Sequence, residues 1–346
     1  MPDLIKQKQR VKAKMAKILH IAHRDILPGQ RAIIELEVPG LFSSTRMTVP
    51  VEIIRGVEDG PVLGVSAAVH GDEINGVEIA GRILHSPFIN NLKGTLIIIP
   101  IMNIYGFNIK SRYLPDRRDL NRCFPGKRDG TVGSRLAYIV MNEIIKHCDY
   151  FIDLHTAGNQ RTNLPQVRAD LKNDKIANLA KSFSAPVIVQ SDPRDSSLRE
   201  AIMQKNIPVI VYEGGQALRI EENVVKQGVS GILNVMRELG MIHEFVREDI
   251  MNPLICLKTF WARAPRSGIF KVLKPLGSVV KAGEVLGIIA DPFGNEIDKA
   301  TSPYDAVIIG KNLVPQVMGG DALFHLGLFD DIEVAEEYLE SIEQYI

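Results

Sequence analysis

Short apolar runs bounded by turn residues alternate along this chain with stretches in which apolar residues recur every three or four positions. Segments 31–38 and 47–54 read as a hairpin around Pro39-Gly40. They lead into an apolar run over 62–69, which is bounded by Pro61 and Gly71 and is short, so it reads as a buried strand ending at His70. Ile74, Val77, Ala80, Ile83 and Leu84 follow at helical spacing until Ser86-Pro87 stops them. Further strand-like runs at 95–102, 150–154, 185–189 and 208–212 are separated by helix-like stretches such as 132–147, and a helix over 221–239 closes the series. This alternation predicts an α/β fold whose largely parallel sheet is covered by helices on both faces.

After about Phe260 the pattern changes to short runs punctuated by glycine, among them Gly268-Ile269-Phe270, Gly283-Glu284-Val285-Leu286-Gly287 and Ala306-Val307-Ile308. They predict a compact β-rich unit. The expected division is a basic arm and the start of the hairpin over 1–45, a catalytic α/β domain over 46–256, and a smaller barrel-like β-rich C-terminal domain over 257–346. The last of these resembles biotinyl and lipoyl carrier modules, and Asp298-Lys299-Ala300 matches the lipoylated tip. However, Pro303 follows Lys299 by only four residues, where a carrier has a whole strand before its Pro-x-Asp-Gly turn. Lys299 therefore reads as an ordinary surface lysine.

Charge narrows the classes of partner. The 41 basic and 41 acidic side chains cancel, which argues against nucleic acid, because phosphate binding normally leaves a basic excess. Three cysteines without paired spacing suggest neither a disulfide framework nor a cysteine-based zinc site, and Cys123 reads as a small packed side chain. No apolar segment reaches the roughly 18 residues of a membrane span. The basic run Lys6, Lys8, Arg10, Lys12, Lys14 and Lys17 lacks the apolar stretch of a signal peptide, so a cytoplasmic protein is expected, with the run as a solvated arm or exposed helix face. His20, His23, His85, His147, His243 and His325 have no supporting ligand pattern and are assigned no metal role.

Ionisable residues cluster at the ends of the predicted strands: His70-Gly71-Asp72-Glu73, Asp119-Leu120-Asn121-Arg122, Asp153-Leu154-His155 and Tyr212-Glu213-Gly214. The carboxyl ends of strands are where ligands bind in open α/β sheets. His70 and Glu73 on a strand-to-helix turn can aim an imidazole and a carboxylate at one zinc ion, with His155 as the best third ligand. Asp153 shares the strand face of His155 and could accept its other N–H. Three protein ligands leave a fourth position for water, as in catalytic zinc sites, and Glu213 would be the general base acting on that water.

The segments VHGDEINGVEIAGRIL, DLNRCFPG, FIDLHTAG and VIVYEGG, in that order, resemble the succinylglutamate desuccinylase/aspartoacylase family, zinc-dependent deacylases related to the zinc carboxypeptidases. The resemblance runs from about residue 48 to the C-terminus. It implies a zinc-carboxypeptidase-like, mostly parallel sheet flanked by helices, with an unmodified β-domain after it. It also implies that His70, Glu73 and His155 hold one Zn2+ per chain and that Glu213 is the catalytic carboxylate. Asn121 and Arg122 match the pair that grips a substrate carboxylate, a role that a guanidinium's planar fork suits; the alternative is an Arg122 that only pairs with Asp119 or Asp116. An arginine that stabilises the oxyanion lies a few residues earlier in the family, and Arg112 is the best match. Because the intervening segment is two residues longer than in aspartoacylases, Arg117 and Arg118 compete with it.

The expected activity is zinc-dependent removal of an acyl group from an N-acyl amino acid or a similar small carboxylate-bearing amide. Zinc would acidify water and polarise the carbonyl, and Glu213 would move the proton to the departing amine. A zinc carboxypeptidase acting on peptides or cell-wall fragments and a non-enzymatic carrier or interaction protein remain as alternatives. A homo-oligomer is possible.

Overall fold

The computed structural model describes residues 15–41, 43–158, 160–243 and 253–342. Lys6, Lys8, Arg10, Lys12 and Lys14 of the expected arm lie outside them. A 13-stranded sheet runs through the described chain. Its centre is parallel, with Val209–Gln216 beside Tyr150–Ala157, then Val62–Ala67, then Thr95–Ile99. On one flank, Met47–Arg55 and Arg31–Val38 form the predicted antiparallel hairpin, with Arg31 opposite Ile54. On the other flank, Arg161–Ala169 runs antiparallel to Val209–Gln216.

Among the described residues an apolar core packs on each face of the parallel centre of this sheet. Along Tyr150–Ala157, Ile152 and Leu154 join Ile79, Ile83, Phe183 and Ile232 from the helices Asn75–Leu84, Asp174–Phe183 and Glu222–Glu238. Phe151 points the other way, to Leu136 and Val140 of the helix Val132–Glu143 and Leu198 and Ile202 of the helix Leu198–Met203. Each fully buried aliphatic side chain contributes about 1.5–3 kcal/mol, so the strands are held firmly and their polar C-terminal ends are fixed in place. The helix expected over 132–147 ends sooner, at Glu143, and continues as a short 3-10 turn, Ile145–His147.

The strand Arg161–Ala169 has no counterpart in the sequence-based expectation. Pro165 and the polar residues Thr162, Asn163, Gln166 and Arg168 hide its pattern, yet every residue of the strand is buried except the half-buried Arg161 and Arg168. It is the junction of the fold, because Ala306–Asn312 pairs with it through Gly310 and Asn163 and so carries the sheet into the β-rich C-terminal region. There, Ala322–Leu328 and Lys258–Arg263 extend the same sheet. A second, four-stranded sheet packs against them around Phe270, Leu286, Ile289 and Phe324. Lys299 lies within the strand Glu296–Thr301, opposite Ile288, with its ammonium 3.2 Å from Glu296 Oε1. A mid-strand lysine in an ion pair is not a carrier tip. Among the described residues no helix is long and apolar enough to cross a membrane.

Candidate active site

After the strand Val62–Ala67 the chain turns sharply. Ala68 takes a positive φ of 48°, and Gly71 packs so closely on the short helix Ile104–Asn108 that a Cβ there would lie 2.1 Å from the Gly106 carbonyl carbon. Only glycine permits that approach. The turn aims His70 and Glu73 inward before the helix starts at Asn75, while the strand Tyr150–Ala157 delivers His155 to the same point. All three side chains are buried.

Their donor atoms converge. One ligand atom from each of His70, Glu73 and His155 lies within 4.8 Å of the others. Glu73 Oε1 is 2.7 Å from His70 Nδ1, and Glu73 Oε2 is 2.8 Å from His155 Nδ1. The outer nitrogens are pinned by carboxylates: His155 Nε2 is 2.7 Å from Asp153 Oδ2, and His70 Nε2 is 3.1 Å from Asp119 Oδ1. Burial opposes charge on Glu73, but His70 and His155 outweigh it and hold the carboxyl well below the usual range. Asp119 is held down likewise by His70 and Arg112 against the effect of burial.

This arrangement fits a divalent metal. Two imidazoles and a carboxylate are a common zinc donor set, and ligating histidines usually give their second N–H to an acceptor that fixes the ring. His70 Nδ1 adds a sign of its own: although close to Glu73, it is buried without an aligned hydrogen bond.

Arg112 sits beside this triad. Its Nη1 donates to Glu73 Oε1 at 3.1 Å and its Nη2 to Asp119 Oδ2 at 3.0 Å. Gly158 makes room for it, since a Cβ there would fall 2.5 Å from Arg112 Nη1. The competing Arg117 and Arg118 are exposed, and Arg118 faces Asp116 at 3.6 Å. Among the described residues Arg122 pairs with neither Asp119 nor Asp116; its guanidinium donates to the Asn121 carbonyl. Asn121 uses Oδ1 to accept the Leu198 N–H at 2.8 Å, which ties the pair to the helix Leu198–Met203. Both residues line one cavity of about 400 Å³ together with His70, Glu73, Arg112 and His155.

Glu213 lines the same cavity. Asn163 Nδ2 donates to its Oε2 at 2.7 Å, and Arg168 Nη2 lies 3.0 Å from the same oxygen. Among the described residues Oε1 has no partner.

Known proteins place this geometry in a context. The family model described as the succinylglutamate desuccinylase/aspartoacylase catalytic domain matches residues 59–239, more than half of the 346-residue chain. The chain belongs to this family. Within it, the chain is 24% identical over 292 residues, covering 80% of itself and 84% of the relative, to the N-alpha-acetyl-L-2,4-diaminobutyric acid deacetylase of Halomonas elongata. The fold is shared with the crystal structure of a succinylglutamate desuccinylase/aspartoacylase from Rhodobacter sphaeroides, with a TM-score of 0.77, 24% identity, and coverage of 86% of this chain and 96% of that one. The product-bound ectoine utilization protein EutE (DoeB) from Ruegeria pomeroyi gives 0.78, 22%, 86% and 95% in the same terms. The chain is thus a deacylase of the succinylglutamate desuccinylase/aspartoacylase group.

Several lining residues lie outside the motifs shared with the family. Asn163 and Arg168 come from the unexpected strand, Arg194 and Arg199 from a loop and the helix after it, and Trp261 and His325 from the C-terminal region. The deviant alternation of Thr162, Leu164, Gln166 and Arg168 is the one signal in the sequence that could reveal the strand. His325, an ordinary histidine by its sequence context, stacks on Trp261 at 4.4 Å, and Arg161 lies 5.0 Å over the same indole. Its position follows from pairing between strands distant in sequence, which no local pattern announces.

Proposed function

We propose that this protein is a zinc-dependent amidohydrolase that removes the acyl group from an N-acyl amino acid or a similar small carboxylate-bearing amide. The observation that carries the reading is the convergence in one cavity of His70, Glu73 and His155 with Arg112, Arg122 and Glu213. Zinc held by the triad supplies acidified water and a polarised carbonyl, the chemistry that amide hydrolysis needs. Arg122, one arm of whose guanidinium donates to the Asn121 carbonyl, turns its remaining N–H groups to the substrate carboxylate and fixes the amide in the cavity. Glu213, anchored through Oε2, takes a proton from the attacking water on Oε1 and delivers it to the departing amine. Arg112 faces the oxyanion with charge fixed in advance by Glu73 and Asp119, so little reorganisation is needed as negative charge develops.

The two arginines should separate kinetically. Arg122→Ala is expected to raise KM most, since a grip on the carboxylate operates in the ground state, whereas Arg112→Ala should mainly lower kcat. Steady-state kinetics showing the reverse would exchange their roles.

The test of the function itself is hydrolysis of acetyl-, succinyl- and formyl-amino acids and of short peptides by the zinc-loaded protein. At least one N-acyl amino acid should be cleaved, with efficiency falling steeply as residues are added. Thr259, Trp261 and His325 from the C-terminal region form part of the cavity wall, which suits a small substrate. Peptides of four or more residues cleaved as well as the best acyl-amino acid would favour a carboxypeptidase.

A further inference from the structure

Glu213 is aimed by residues that its own strand does not supply. The strand Arg161–Ala169 runs antiparallel beside it, with Arg168 opposite Val211, Gln166 opposite Glu213 and Asn163 opposite Gly215. Side chains alternate faces along a strand, so Arg168 and Gln166 share the face of Glu213, whereas Asn163, three residues from Gln166, should point away. It does not, because three steps on this strand match two on the other, and the extra residue at Leu164-Pro165 makes a bulge. Pro165, which has no N–H to give to a ladder, is tolerated at such a point. The bulge returns Asn163 to the face of Glu213, where its Nδ2 donates to Oε2 at 2.7 Å. Arg168 Nη2 lies 3.0 Å from the same oxygen.

Asn163 is in turn backed by the C-terminal region, since on its far side it pairs with Gly310 of the strand Ala306–Asn312. That strand bulges too: Ile308 and Gly310 are two apart, while their partners Leu326 and His325 are adjacent. The carbonyl of the extra residue, Ile309, accepts from Gln166 Nε2 at 3.2 Å, which fastens the two bulges together. Asn163 is buried, and because its Nδ2 faces the carboxylate, its Oδ1 lies against Gly310. A Cβ on Gly310 would sit 2.6 Å from that oxygen, 3.3 Å from His325 Cβ and 3.4 Å from the Thr162 carbonyl oxygen. The first distance is closer than a Cβ can come; the other two are tolerable. Gly310 has no positive φ, so the backbone does not require glycine here. The space taken by the Asn163 amide does.

Resting on the reading of Glu213 as the general base, we propose that Gly310 and Asn163 are positioning residues for it. The C-terminal region holds the Asn163 amide in place, and the amide holds Oε2 so that Oε1 is presented to the attacking water. The region thus takes part in catalysis besides walling the cavity. Displacement of a reacting group by about 1 Å can cost on the order of 10²-fold in rate, so the clamp has a measurable effect.

The test measures kcat, KM and zinc content of the zinc-loaded enzyme with the N-acyl amino acid it cleaves best. Asn163→Ala and Gly310→Ala should each lower kcat by about tenfold to a hundredfold, with KM and zinc content little altered. Two mutant cycles separate positioning from general damage. Adding Gly310→Ala to Asn163→Ala should cost no more than about twofold further, because the amide it displaces is already gone. Adding either change to Glu213→Gln should likewise cost no more than about twofold, because no basic oxygen is left to aim. Asn163→Asp, with the same shape but no donor, should fall at least as far as Asn163→Ala and keeps the test decisive if Gly310→Ala does not fold. A crystal structure of Gly310→Ala adds a readout without turnover, in which Glu213 Oε2 should have left Asn163 Nδ2. If the wild type cleaves no acyl-amino acid, that displacement would leave the clamp standing and remove the deacylase reading. Unchanged kcat in both single variants, losses that persist in full in the Glu213→Gln background, or a Glu213 still hydrogen-bonded to Asn163 in Gly310→Ala would overturn the proposal.

Discussion

The His155→Ala protein is expected to lose most of its metal and, with it, nearly all activity. His155 is one of three buried donors, and its Nδ1 meets the Glu73 carboxylate while Asp153 fixes the ring from behind. Removing it leaves a nitrogen and a carboxylate, too few ligands for a tight zinc site. Metal analysis after gel filtration should show wild-type protein near one zinc per chain and the variant far below, with circular dichroism showing the fold retained. Stoichiometric zinc in a His70→Ala, His155→Ala double variant would sink the site.

The same geometry dictates how pH acts on metal binding. Burial alone would lower the pKa of His155, but Asp153 and Glu73 outweigh it and hold the imidazolium well above its ordinary value of 6.5. A ligating histidine must be deprotonated, so in chelator-treated protein the proton competes with zinc below that raised pKa. Zinc affinity should therefore fall as pH is lowered through neutrality, and uptake should release protons. For the metal-free fold the sign is opposite: a raised folded-state pKa stabilises fully below the unfolded value and is lost as pH rises through the folded one. Chelator-competition titrations between pH 6 and 8 check this, and a flat profile would show that His155 is not the group displaced.

Much of this site is legible in the amino-acid sequence, for a physical reason. Strands with apolar cores announce themselves, and His70, His155 and Glu213 fall at or near the ends of such runs, where side chains emerge from the sheet. Arg112 is harder to place, because its position depends on a loop whose length varies; the contacts to Glu73 and Asp119 distinguish it from Arg117 and Arg118. Asp119 reads in the sequence only as a partner for Arg122, whereas in the fold it accepts from Asn121 N–H and Arg112 and meets His70. The contact with His70 joins segments 49 residues apart, beyond the reach of any local pattern. The strand Arg161–Ala169 escapes a search for apolar alternation because its polar residues serve the cavity rather than a core. With it go Asn163 and Arg168, the residues that hold Glu213.

Glu213→Gln should lower kcat by about 10²–10⁴-fold, the usual scale of general acid–base catalysis, while zinc stays bound. The amide nearly matches the carboxylate in shape and can still contact Asn163 and Arg168, so the cavity wall should survive. What disappears is the basic oxygen. Glu213 contributes no donor to the His70, Glu73 and His155 cluster, and its anchored Oε2 leaves Oε1 as the atom that can exchange a proton. Because the proton must move as the amide breaks, the loss should appear in kcat and in kcat/KM alike, with KM little altered. Metal content and steady-state kinetics on the same preparation separate the possible roles. Unchanged turnover would take Glu213 out of the mechanism, and loss of zinc together with activity would make it a ligand instead of a base.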